Sequence, residues 1–236
     1  MLSFKKSLVV VPTYNEIDNI EAMIHKLHEL YPELNILIID DGSPDGTAEK
    51  VKILMEKISC LYLICRSGKL GLGTAYIAGF KWALERDYDF VFQMDCDFSH
   101  DPTELQVMRT QVEQNDLIIG SRYVGGIRII NWPIHRLLLS YAASLYTRFI
   151  TGMKIFDVTG GFKCWRTTAL RKINLDKISS NGYSFQIEMN YSFWSRKLRI
   201  QEVPIIFYER RDGQSKMGLP IVFEALWTVI RLRFFS

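Results

Sequence analysis

The stretch Asp89-Phe-Val-Phe-Gln-Met-Asp-Cys-Asp-Phe-Ser-His100 sets an apolar run directly against a pair of aspartates. Residues 89–94 read as a buried strand. Residues two apart on a strand share a face, so Asp95 and Asp97 converge where the strand gives way to a loop. Buried carboxylates without partners are costly, and such a pair usually shares a proton or holds a cation. An all-oxygen site with open positions suits magnesium or manganese on a phosphorylated substrate. Helix-capping aspartates on a solvated loop would give the same spacing.

The segments on either side repeat the pattern of strand, polar end and helix. Ser7-Leu-Val-Val-Val-Pro12 is a short strand stopped by proline. Apolar residues from Glu16 to Leu30 recur at helical spacing. Asn35–Asp40 reads as a second strand, followed by Ser43-Pro44 as a helix N-cap with proline at the first helical position. Leu61–Cys65 is a third strand, and Thr74–Glu85 a helix. Asp101-Pro102 opens another helix, and Asp116–Gly120 is a further strand. Strands alternating with helices predict an α/β fold with a largely parallel sheet. Ligands in such sheets bind beyond the carboxyl ends of the strands. Three strands bring Pro12-Thr-Tyr-Asn-Glu16, Asp40-Asp41 and Asp95-Cys-Asp97 to that one edge.

The second half is more helical. Helices are expected at Ile134–Ile150, Tyr183–Leu198 and Pro220–Phe235, with a strand within Ile200–Tyr208. The expected organisation is a catalytic domain over residues 1–218 and an amphipathic C-terminal helix over 219–236.

With 236 residues the chain can bury a full core. A net charge of +3 gives no sign of a nucleic-acid partner. The four cysteines lack metal-binding spacing, which fits reduced thiols in a cytosolic protein. The N-terminus leads straight into a strand, without a signal-peptide layout. No apolar run reaches the roughly 18 residues of a membrane span.

Six ordered motifs carry a resemblance. They are Val11-Pro-Thr-Tyr-Asn-Glu16, Asp40-Asp-Gly-Ser-Pro-Asp-Gly-Thr47, Lys69-Leu-Gly-Leu-Gly-Thr-Ala75, Asp95-Cys-Asp97, Gly120-Ser-Arg-Tyr123 and Arg210-Arg-Asp-Gly-Gln-Ser-Lys216. Together, over Ser7 to Gly218, they resemble family 2 glycosyltransferases of the dolichol-phosphate (polyprenol-phosphate) mannosyltransferase type. The resemblance implies a GT-A nucleotide-sugar-binding fold, GDP-mannose as donor, a polyprenyl phosphate as acceptor, and inversion at the sugar carbon. It implies that Pro12, Tyr14, Glu16, Asp40 and Asp41 border the nucleoside. Lys69, Asp95 and Cys96 fall on the donor side. Asp95 and Asp97 would hold Mg2+ or Mn2+, with Ser99 where relatives carry a stronger polar ligand. Arg66–Gly73 resembles a diphosphate loop but matches neither GxxxxGK[ST] nor GxGxxG. Arg210 and Lys216 match a loop that closes on the diphosphate. His100 reads as a loop histidine, and Gln186 as either a structural residue or a sugar contact.

A phosphate monoester is an anionic nucleophile at neutral pH, its second pKa being about 6. Transfer to it needs cations that position two phosphates rather than a strong base, and arginine suits that task. Arg122, Arg136 and Ser140, the last two on one helix face, match the family's acceptor-phosphate positions. Asp97, Arg122 and Arg210 are therefore the residues expected to carry the reaction.

A polyprenyl tail stays in lipid, so the expected place of work is the cytoplasmic face of a membrane. Either the helices at 134–150 and 220–235 lie in the interface, or separate membrane subunits recruit the chain. Two other readings remain open at the sequence level: a UDP-sugar donor such as UDP-glucose, and a non-catalytic nucleotide-sugar-binding subunit.

Overall fold

The computed structural model describes residues 3–209 and 219–235. Strands β1 (Ser7–Thr13), β2 (Asn35–Asp40), β3 (Leu61–Cys65), β4 (Phe90–Gln93), β5 (Leu117–Ser121), β7 (Lys163–Arg166) and β8 (Ile200–Pro204) form a seven-stranded sheet ordered β3-β2-β1-β4-β7-β5-β8. Only β7 runs antiparallel to its neighbours, β4 and β5. A small parallel pair joins β6 (Ile129–Ile130) to β9 (Phe207–Tyr208).

Strand alternation builds two cores, one on each face. Val9, Val11, Ile36, Ile38, Phe90 and Phe92 point to one face. There they meet helices α1 (Ile17–Leu30), α2 (Thr47–Met55) and α4 (Leu105–Gln111). Leu8, Val10, Leu37, Ile39 and Val91 point to the other. That face is covered by α3 (Leu72–Leu84), α7 (Gly182–Ser195) and Val229 and Leu232 of α8 (Leu219–Phe235). A short helix α6 (Thr167–Leu170) follows β7.

Helix α2 starts three residues beyond the expected Pro44. Asp40 takes the Ser43 amide and hydroxyl at 2.9 and 2.6 Å, which folds Ser43 into a turn. The Asp45 carboxylate accepts from the Thr47 amide and hydroxyl, and left-handed Gly46 precedes the first helical residue. Strand β7 was not expected. Its register with β4 pairs Gln93 with Lys163, a long-range contact that no local pattern announces.

Helix α5 (Ile134–Thr151) has reversed polarity. Its buried residues are Arg136, Ser140, Ser144, Thr147 and Thr151. Its outer face exposes Ile134, Leu138, Tyr141, Leu145 and Phe149. A surface helix in water normally does the opposite. Among the described residues, no helix is long and apolar enough to cross a membrane.

Candidate functional site

The carboxyl ends of β1, β2 and β4 open on a cavity of about 400 Å³. Pro12, Tyr14, Glu16, Asp41, Lys69, Asp95, Cys96, Asp97, Arg122 and Arg136 all line it. One edge of the sheet thus gathers residues spread over more than half of the chain.

Pro12, Tyr14 and Glu16 follow from the end of β1. The Lys69 ammonium sits 4.3 Å from the Tyr14 ring centre, a cation–π pair across one wall. Glu16 precedes α1 and accepts from Asn19 at 3.0 Å. The adjacent aspartates divide their work as strand alternation requires. Asp40 does not line the cavity; it is buried and accepts from Thr13 and Ser43. Asp41 does line it, and also shapes the 66–71 loop. Its carboxylate lies 2.6 Å from Arg66 Nε and accepts from the Leu70 and Gly71 amides. Arg66 is therefore committed to Asp41 and the Thr74 hydroxyl at this wall.

Asp95 and Asp97 share the cavity floor. Tyr76, buried beneath, donates to Asp95 Oδ1 at 3.0 Å. Burial, then the Asp95 charge, pushes the Tyr76 phenol well above its ordinary range, so it stays a donor. Cys96 lies between the two aspartates, and burial raises its thiol far above the usual value, which keeps it neutral. Ser99 does not reach the cavity lining. Its amide donates to Asp97 Oδ1 at 3.1 Å and its carbonyl accepts from Tyr208. Among the described residues, no cluster of three or more His, Cys, Asp or Glu offers a complete metal cage. Two carboxylates with the remaining positions open fit a magnesium or manganese ion that is shared with a ligand's phosphates.

Arg122, at the end of β5, is held by Asp157 through Nε at 2.7 Å and a terminal nitrogen at 2.6 Å, with Thr159 as a third acceptor. Burial disfavours both charges; the pair's mutual attraction and hydrogen bonds outweigh it, so Asp157 lies below the usual carboxylate range and Arg122 above its own. Glu202 accepts from the Phe156 and Asp157 amides and fixes that turn from behind. Arg136, on α5, is buried. Its guanidinium stacks 4.0 Å from the Trp132 ring and pairs with Glu209 at 3.1 Å. Ser140, one turn on, accepts from the Tyr123 hydroxyl at 2.8 Å. Arg210 and Lys216 lie outside the described residues.

A second cavity, apolar and about 240 Å³, runs between α5 and α8 over α7. Leu139, Ala142, Ala143, Tyr146, Ile187 and Leu226 are among its walls, and Ser140 sits at its head. It shares Arg122, Trp132, Thr159 and Tyr183 with the polar cavity, so the two meet at Arg122 and Trp132, with Arg136 stacked on Trp132 from the polar side. At that seam Trp132 Nε1 and Arg136 Nε are buried donors with no acceptor among the described residues.

Sequence reasoning gave Trp132, Thr159 and Tyr183 no role. Trp132 lies just before α5, four residues from Arg136 in sequence, and that nearness was the available signal. His100 lies on a loop bend, as expected. That loop buries it in the cavity wall, stacked 4.9 Å from Phe162 and edge-on to Phe207. Burial lowers its pKa and favours neutral imidazole.

Residues 8–174 match the family described as glycosyl transferase family 2. An undecaprenyl-phosphate mannosyltransferase of Micrococcus luteus is 43% identical over 224 residues, covering 95% of this chain and 92% of that protein. A polyprenol monophosphomannose synthase of Mycolicibacterium smegmatis is 41% identical, covering 95% and 86%. A dolichol-phosphate mannosyltransferase of Pyrococcus furiosus is 35% identical, covering 96% of this chain and 63% of that protein. Among solved structures, glucosyl-3-phosphoglycerate synthase of Mycobacterium tuberculosis with Mg2+ and uridine diphosphate aligns with a TM-score of 0.69 at 17% identity, covering 98% and 80%. That likeness shows the fold, a GT-A type α/β architecture. The chain belongs to glycosyltransferase family 2.

Proposed function

We propose that the protein transfers mannose from GDP-mannose to a polyprenyl phosphate at a membrane surface. The seam between the two cavities carries this reading. A phosphate on an apolar tail matches a site where a polar cavity meets an apolar groove at Arg122, with Arg136 close by on the polar side. Among the described residues Trp132 Nε1 and Arg136 Nε are buried there without acceptors, and buried donors call for a partner. The named activities of relatives at 41–43% identity support mannose transfer to a polyprenyl phosphate.

The acceptor phosphate arrives ionised, so the chain's task is to place it. Arg122, locked by Asp157, and Arg136, stacked on Trp132, supply positive charge at the head of the groove. The phosphate oxygen attacks the sugar carbon from the face opposite the diphosphate, and the configuration inverts. Asp95 and Asp97 would hold a Mg2+ or Mn2+ ion, whose charge offsets that building on the departing GDP. Arg210 and Lys216 are proposed to assist at the same diphosphate. Tyr14, Glu16, Lys69 and Asp41 border the nucleoside end.

The reversed polarity of α5 supports a peripheral membrane location. Its apolar outer face would rest in the interface, with Arg148 and Arg233 near anionic headgroups. Separate membrane subunits are the other way to reach the lipid.

The test is label transfer from GDP-mannose, and separately from UDP-glucose, to detergent-dispersed polyprenyl phosphate with magnesium or manganese. The expected product is acid-labile labelled lipid from GDP-mannose that disappears with chelator. Label from UDP-glucose alone would replace the donor. Nucleotide-sugar binding with no transfer would remove the catalytic reading.

A further inference from the structure

The floor of the polar cavity contains a side chain whose orientation is dictated from below. Gln186 lies on the first turns of α7, buried to 2% exposure, and lines the cavity. Its Oε1 accepts from the Lys163 ammonium at 2.7 Å and from Gln93 Nε2 at 2.9 Å. In its charged form the lysine can only donate. Gln93 is fixed in turn, because the Trp165 indole, also only a donor, gives its N–H to Gln93 Oε1 at 3.2 Å. The donor-only indole therefore determines both amides, and Gln186 cannot flip without setting its Nε2 against that of Gln93. Its Nε2 group has no acceptor among the described residues.

Gly161 shows where that amide is presented. A methyl group built on Gly161 would lie 3.8 Å from Gln186 Nε2, 3.7 Å from Asp95 Oδ2 and 3.7 Å from the His100 ring. The bare α-carbon thus borders a small space with a donor on one side and a carboxylate acceptor on the other. A hydroxyl, which both donates and accepts, satisfies such a pair. The space adjoins the aspartates proposed to face the diphosphate, which is where the hexose of a sugar nucleotide must lie.

We infer that Gln186 is a specificity-determining residue, donating through Nε2 to a hydroxyl of the donor hexose held over Gly161. The inference rests on the function proposed above and names a sugar contact within it. Lys163, Gln93 and Trp165 act through Gln186 as positioning residues.

The test compares GDP-mannose with its 2-, 3-, 4- and 6-deoxy analogues in wild type, Gln186→Ala and Gly161→Ala. Inhibition by GDP is measured alongside. Gln186→Ala should lower kcat/KM for GDP-mannose about tenfold, the scale of one lost hydrogen bond in a buried site. GDP inhibition should be unchanged. One deoxy analogue, poor with wild type, should equal GDP-mannose in Gln186→Ala, because the group that read its hydroxyl is gone. Gly161→Ala guards against a folding effect. Its added methyl meets only ordinary contacts, so the fold holds, yet it fills the sugar space. It should lose transfer and keep GDP binding. If all deoxy ratios in Gln186→Ala match wild type, or if Gly161→Ala transfers normally, the assignment is wrong. Wild type that fails to transfer mannose at all would overturn the proposed function, and this contact with it.

Discussion

Asp157 grips Arg122 through both carboxylate oxygens, and both residues are almost completely removed from water. A buried pair of this kind is costly to assemble and far costlier to break, because one uncompensated charge is left inside. Arg122 is thereby fixed in position and permanently charged at the junction of the two cavities. Asp157→Ala should lower stability by roughly 3–5 kcal/mol, read from urea unfolding. It should also raise KM for the lipid phosphate in whatever fraction folds. A variant with unchanged midpoint and kinetics would show that the pair neither stabilises the fold nor positions Arg122.

Lys163 gives a pH prediction. Burial drives its pKa down from 10.5 to about 7, against the opposing pull of Asp157 and with a small further push from Arg122. Between about 7 and 10.5 the unfolded chain binds a proton that the folded chain does not. Stability therefore rises with pH across that window, by up to about 1.4 kcal/mol per unit from this group. Below about 7 both states are protonated and the dependence ends. Lys163→Met should flatten the rise relative to wild type. Urea midpoints from pH 7 to 9 decide it; parallel curves for the two proteins would show that Lys163 is charged throughout.

Much of the fold and part of the site were legible in the sequence. Strands β2 and β3 fall on their expected residues, since β-branched runs ended by polar groups leave little choice. The aspartates, Arg122 and Arg136 reach one cavity because three strand ends and two helices are anchored by local patterns. The misses have a common cause. Strand β7, the Asp157 clamp, the Lys163–Gln186–Gln93 relay and the stacking of His100 on Phe162 all join residues far apart in the chain. Periodicity and capping are local signals and cannot report such pairings. Whether the apolar face of α5 turns outward was left open at the sequence level, because a periodic apolar stripe identifies a helix but not which side faces the core.

Asp97→Ala should abolish transfer while leaving the near-ultraviolet circular dichroism intact, because its carboxylate opens onto the cavity and not into either apolar core. Arg210→Ala is expected to do the same through the departing diphosphate. Chelation of wild type should reproduce the Asp97→Ala phenotype and be reversed by added magnesium or manganese. Near-normal turnover by either variant would displace that residue from the reaction.

Arg136 is tied to Glu209 and Trp132 on the side of the cavity proposed to take the acceptor. Arg136→Ala should therefore raise KM for polyprenyl phosphate by about tenfold or more, the scale of a charge-assisted hydrogen bond, with little change in KM for donor. The measurement is a full substrate matrix at fixed metal. The reverse pattern, a donor defect with normal lipid KM, would move Arg136 to the diphosphate side.

Phe149 and Ile134 are the most exposed apolar residues of α5, at 87% and 74%. They stand at opposite ends of the reversed face, whose buried side is occupied by Arg136 and a row of hydroxyl side chains. Water alone does not explain such an arrangement, whereas a lipid interface does. Burying one such side chain contributes about 1.5–3 kcal/mol, so Phe149→Asp or Ile134→Asp should weaken partitioning to anionic vesicles by about tenfold or more. Thermal stability and donor affinity should not fall, since neither side chain packs in the core. Turnover of polyprenyl phosphate in vesicles should drop with vesicle binding, and detergent-dispersed acceptor should restore much of it. Vesicle binding equal to wild type in both variants would mean that another surface, or a separate membrane subunit, brings this site to its lipid.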